Sequence, residues 1–180
     1  MTGSKGKVKK AAAGSAAGAE HGQPSAAAVS AIRKFRGRDD LTVNYGSTAA
    51  DPYKDDGSTI EIYVDDESYE YWFDPAHGVL VQMGPRAGSD TQAHKIGPEG
   101  RLPVADLRAQ AVALIEAAVP GFAARRNSLH PLEDNKDRQI YFFRWDDFSA
   151  PLKDSQLPPF VQVGLRADGR LASFTNTLNT

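Results

Sequence analysis

The sequence predicts an α+β fold of two repeated units, each a helix laid across an antiparallel β-meander. Three observations predict it. An aromatic hairpin runs Tyr69-Glu70-Tyr71-Trp72-Phe73, turns through Asp74-Pro75-Ala76-His77-Gly78, and returns as Val79-Leu80-Val81-Gln82-Met83. A second hairpin, Phe160 to Leu165 and Arg170 to Phe174 around Ala167-Asp168-Gly169, repeats the plan with a tighter turn. Each hairpin follows one helical stretch (25–36, then 104–118) and one strand (60–64, then 139–145). Neither helix can bury its apolar stripe alone, so each is expected across its own sheet.

Residues 1–23 are low-complexity, with Lys5, Lys7, Lys9 and Lys10 followed by Ala, Gly and Ser. Such a composition buries too little apolar surface to offset its ordering entropy, and a disordered tail is expected. The first unit then spans 24–84, a linker 85–101, and the second unit 102–180. Ser25 is placed to cap a helix with Val29, Ile32 and Phe35 on one face, and Gly37 to end it. Leu41 to Tyr45 alternates as a short strand that Gly46 stops, and 51–57 is a polar loop. In the next strand Ile60, Ile62 and Val64 are expected to face the core, with Glu61 and Tyr63 opposite. Asp65-Asp66-Glu67-Ser68 makes the turn into the aromatic hairpin.

Six glycines or prolines among polar residues mark 84–101 as a connection without periodicity. Pro103 opens the second helix, whose stripe is Leu107, Ala111, Leu114, Ile115 and Ala118, and Pro120-Gly121 ends it. Residues 129–138 read as a polar turn. Ile140 to Trp145 is apolar or aromatic on both faces, which suits a strand covered on both sides. After a long polar connection at 146–159, Val161, Val163 and Leu165 point to the core.

Composition narrows the function. A net charge of −2 gives no basic field for nucleic acid. Zero cysteines exclude thiolate metal sites and cysteine nucleophiles, and no apolar run reaches the roughly 20 residues that span a bilayer. The four histidines (His21, His77, His94, His130) fall in turns or linkers, with no i, i+4 pair. The acidic loop from Asp51 has Tyr53 at position three, where a calcium loop needs a ligand. Asp65-Asp66 and Asp146-Asp147 diverge along strand ends instead of converging in a cleft. No nucleophile elbow or phosphate-cradling glycine loop is present. The chain is therefore expected to be no enzyme, with no metal and no cofactor.

Two stretches carry a family resemblance. The second half has an alanine-rich opening helix and the aromatic strand Ile140–Trp145. Its closing hairpin runs Phe160-Val161-Gln162-Val163 through Asp168-Gly169-Arg170-Leu171 to Phe174-Thr175-Asn176. This resembles PepSY and related propeptide-like domains, which have a cystatin-like shape. Phe73-Asp74-Pro75-Ala76-His77-Gly78-Val79-Leu80 fits the same closing pattern in the first half. The second turn is one residue shorter than the first, and the connection at 146–159 is long for the family. The resemblance implies a non-catalytic, extracytoplasmic bacterial module that contacts or restrains a peptidase or another envelope protein. Any membrane tether would lie outside this chain.

The residues themselves point the same way. With Tyr69, Tyr71 and Phe73 facing the helix, Tyr63 and Trp72 fall on the opposite sheet face beside Glu61, Glu70 and Gln82. Aromatic anchors ringed by polar groups typify partner-binding surfaces, so Tyr63, Trp72, Glu61 and Glu70 are the candidate contacts for a protein or peptide. The competing reading packs this face against the second unit. A groove between the units and an exposed hairpin edge are further places for a partner. Two other functions stay open: a small-ligand-binding domain, and a structural spacer in a membrane-anchored protein.

Overall fold

The computed structural model describes residues 23–89, 95–134, 139–152 and 157–178, with the side chain of Asp134 left out. All of the expected tail except Gln23 lies outside the described residues, as do His21 and His94.

Helix α1 (Ala26–Arg36) begins where Ser25 Oγ accepts from the Ala28 N–H at 3.3 Å, and ends at Gly37 in the left-handed region at φ +63°. Its buried face is Ala28, Ile32 and Phe35, and Val29 packs at its margin. Four antiparallel strands follow: β1 (Val43–Ala50), β2 (Thr59–Asp65), β3 (Tyr69–Asp74) and β4 (Val79–Pro85). Helix α2 (Val104–Ala118) buries Leu107, Ala111 and Ile115, with Leu114 and Ala118 at the margin, and Pro120-Gly121 turns it into the single-turn α3 (Phe122–Arg125). The remaining strands are β5 (His130–Asp134), β6 (Ile140–Asp146), β7 (Phe160–Arg166) and β8 (Leu171–Asn176).

The expectation of two repeated units, each with its own sheet, is overturned. All eight strands form one antiparallel sheet in the order β1-β2-β3-β4-β8-β7-β6-β5. The join is β4 to β8, through Gln82↔Thr175 and Met83↔Phe174. The helices pack on each other as well as on the sheet. Phe35 of α1 meets Phe174 of β8 with ring centroids 4.8 Å apart, and a single cluster of buried side chains runs beneath both helices. The physical reason is economical burial. A separate meander would leave β4 and β8 as open edges and each helix with a bare flank, and joining them closes both.

Two elements differ locally from expectation. Gly46 does not stop β1; the strand continues through a bulge between Tyr45 and Ser47 to Ala50. A Cβ at Gly46 would stand 3.2 Å from the Ile62 carbonyl oxygen, so the glycine permits a close approach to β2. The polar stretch after Leu129 contains β5, an edge strand, which places His130 on a strand. Consequently β6 is next to the edge and not central. Tyr141, Phe143 and Trp145 face the helices and are buried, while Phe142 and Arg144 on the other face are half-exposed.

That other face is only partly covered. The loop 51–58 folds onto it: the Tyr53 hydroxyl donates to Gln82 Oε1 at 2.7 Å and Lys54 Nζ to Asp74 Oδ2 at 3.0 Å. Ile60, Val79 and Val81 are buried without belonging to the cluster under the helices. Beyond this loop, β8, β7 and β6 present half-exposed polar side chains.

Candidate functional site

The structure separates the four expected contact residues into two pairs. Tyr63 is fully buried on the helix face, directly opposite Tyr71. Its hydroxyl accepts from the Ser25 N–H at 3.2 Å and donates to Glu61 Oε2 at 2.7 Å, which places Glu61 on that face too. Burial, with the bond to Glu61, pushes the Tyr63 phenol up to about 12. Tyr63 and Glu61 therefore seat α1 on the sheet. Trp72 and Glu70 do lie on the open face, half-exposed, and the indole N–H donates to Glu70 Oε1 at 2.8 Å.

Two polar clusters lie beneath the surface, each held together by ion pairs. At the end of α1, Arg36 Nη1 donates to Asp65 Oδ2 at 3.1 Å and to the Tyr71 hydroxyl at 2.5 Å, and its other amino group pairs with Glu67. Asp65, whose side chain is buried, also accepts from Tyr71 at 2.6 Å and from the backbone of Glu67 and Tyr69. In the second cluster the Lys54 ammonium stands 3.0 Å from Asp74 Oδ2 and 3.7 Å from Asp51 Oδ2. Asp74 Oδ2 is also 2.7 Å from His77 Nδ1, and Asp74 Oδ1 accepts from the Ala76 and His77 N–H groups. The Lys54 ammonium between the two carboxylates stands where a bound cation would otherwise sit.

This cluster sets an acid limb on stability. Burial by itself would raise the Asp74 carboxyl, but hydrogen bonds from Lys54, His77 and the backbone carry it down to about 2. A folded value below the unfolded one of roughly 3.9 gives stabilisation that is complete above pH 4 and is lost as pH falls through 2. Lys54→Met should therefore lower stability by about 1–3 kcal/mol at pH 6. It should also flatten the loss between pH 4 and 2. Urea unfolding at pH 6, 4 and 2 reads both effects, and parallel pH profiles for the two proteins would contradict this account.

A broad concavity lies elsewhere, between α2 and the β5 edge. It measures about 800 Å³ and is lined by Ala105, Ala109, Val112, Leu129, Pro131 and Trp145, with Arg108, Arg126, Asn127 and Glu133 at its rim. The helical residues 105, 108, 109 and 112 follow i, i+3, i+4 and i+7 spacing, a second stripe beside the one that enters the core. Small side chains at 105 and 109 form a shelf, and Trp145 forms the floor. Trp145 is held edge-on to Phe122 at 5.5 Å, with 6% of its surface exposed. At the rim Arg108 grips Glu133 through two bonds, one of them 2.6 Å. Arg126 reaches Glu116 only at 3.6 Å, and both side chains are 41% exposed.

Nothing in the sequence pointed directly to this groove, because its far wall is β5, hidden in a stretch that reads as a turn. A signal was available in the Ala105/Ala109/Val112 stripe, which a helix needing only one buried face does not require. Comparison with protein-family models, curated proteins and solved structures finds no match to this chain.

Proposed function

We propose that the protein is a non-catalytic interaction module. It binds a short peptide segment of a protein partner in the groove between α2 and β5. The observation that carries this reading is the groove itself: an apolar trough of about 800 Å³ with an aromatic floor and arginines on its rim. Pockets of this size suit an inserted side chain and its neighbours. The loosely paired Arg126 supplies charge complementarity to a carboxylate, so the segment presents an apolar side chain followed or preceded by Asp or Glu. The PepSY-like resemblance at 160–176 and the extracytoplasmic setting it implies belong to the same proposal and rest on the sequence pattern.

The test is selection of displayed peptides against the full chain, followed by titration of the synthesised winners. Peptides combining an apolar and an acidic residue should dominate. Ala109→Trp, which fills the shelf from an exposed helical position, should weaken their binding by at least tenfold, a loss of about 1.4 kcal/mol. Trp145 emission should respond in a Trp72→Phe background. Peptides that bind the Ala109→Trp protein as well as the parent would overturn the assignment.

A further inference from the structure

The open face of the sheet carries a second surface, independent of the groove. Read through the strand register, one row of residues crosses every strand: Ser47, Ile62, Trp72, Gln82, Thr175, Gln162, Arg144 and Leu132. Each pairs laterally with the next, so their side chains share one face at intervals of about 4.8 Å, the spacing between strands. The centre of the row is uncharged and hydrogen-bonding: Gln82, Thr175 and Gln162.

Three features distinguish this row from an ordinary solvated face. Thr175 and Gln162 hold no side-chain hydrogen bond within the described residues, and Gln82 uses only its carbonyl oxygen, as acceptor from Tyr53. Aromatic rings flank the uncharged centre of the row on both sides. Trp72, oriented by Glu70, and Tyr53 stand beside Gln82, while Phe142 and Phe160 stand beside Gln162. The row's only charge is neutralised locally. Arg144 Nε donates to Asp146 Oδ1 at 2.5 Å, and its guanidinium lies 3.8 Å over the Phe160 ring. A depression of about 300 Å³ opens at Phe142, Arg144 and Gln162.

We infer that this row binds an extended, uncharged, β-linked polysaccharide chain. An array of amide and hydroxyl groups without net charge complements vicinal hydroxyls and acetamido groups, which donate and accept equally. Flanking ring faces complement the axial C–H faces of pyranoses. The 4.8 Å step between strands is close to the length of one sugar in an extended β-linked chain, so successive sugars meet successive polar side chains. A charged polymer would find no counter-charge along the row, and a partner β-strand would need a free edge, which a sheet face lacks.

The test uses the β-1,4-linked hexamer of N-acetylglucosamine, added to the full chain carrying Trp145→Phe, so that Trp72 alone reports. Saturable change in Trp72 emission is expected, with affinity reduced about tenfold by Gln162→Ala plus Thr175→Ala. The same binding should survive Ala109→Phe, which blocks only the groove and adds no tryptophan, so failure here and failure of the peptide reading are separable. No saturation at millimolar hexamer would overturn the inference, as would binding unchanged by the two row substitutions. Concentration-dependent self-association in sedimentation, abolished by Thr175→Arg, would assign the face to a second copy of the chain and overturn it too.

Discussion

Phe174→Ala should cost about 3–5 kcal/mol, the range for removing a fully buried aromatic ring, and should destabilise both ends of the sheet together. Phe174 lies 1% exposed on β8, pairs with Met83 across the β4–β8 join, and meets Phe35 of α1 at 4.8 Å. Its ring thus sits where the first four strands, the last four and the first helix converge. Two tryptophans report on opposite sides of that seam, Trp72 on β3 and Trp145 on β6. In Trp145→Phe and Trp72→Phe backgrounds, urea unfolding followed by the remaining tryptophan should give one shared midpoint. Adding Phe174→Ala should move that midpoint equally in both. A Trp72 transition left in place while the Trp145 transition shifts would mean that the first four strands fold independently, contrary to a single core.

The hairpins, both main helices and the inward faces of β3 and β7 were legible because a strong alternation or a helical stripe identified each, whereas β6, apolar or aromatic on both faces, showed no alternation. The neighbour of each strand was not, since periodicity reports which face is buried and carries nothing about lateral partners. Tyr63 shows how one residue of register decides a site. A turn confined to Asp65–Ser68 would set Val64 opposite Tyr69. The observed pairs are instead Val64↔Glu70 and Tyr63↔Tyr71. Asp65 Oδ1 accepts from both Glu67 and Tyr69 N–H groups, and Ser68 adopts φ +65°, which fixes the longer turn. A one-residue shift exchanges the faces of a strand. Hence Ile62 and Val64 stand half-exposed while Tyr63 and Glu61 go under α1. Sequence alternation alone could not detect this, because β2 offers apolar residues on both faces. β5 was hidden for another reason: His130-Pro131-Leu132-Glu133-Asp134 has the proline and charge that edge strands carry, which is also the composition of turns.

The same turn holds the second large effect. Arg36→Met should cost about 3–5 kcal/mol, because it leaves the Asp65 carboxylate buried without its cation. The Arg36 side chain is 11% exposed and that of Asp65 is buried completely, so solvent cannot replace the lost partner. Burial by itself would lower the Arg36 pKa, but Tyr71, Asp65 and Glu67 raise it above the ordinary value, so the guanidinium is charged throughout the accessible range. Its reach extends beyond one pair. The guanidinium carbon stands 4.6 Å over the Tyr69 ring, whose hydroxyl donates to the Leu171 carbonyl at 3.3 Å, tying the end of α1 to β3 and onward to β8. Asp65→Asn should cost less than Arg36→Met, since an amide oxygen at the Oδ1 position can still accept from the Glu67 and Tyr69 N–H groups. The double variant should then be more stable than the sum of the two losses predicts, with a coupling of about 1.5 kcal/mol or more in a urea-unfolding cycle. Strict additivity would mean that Arg36 acts through packing on Tyr69 alone and that the buried carboxylate is held by Tyr71 and the backbone N–H groups without it.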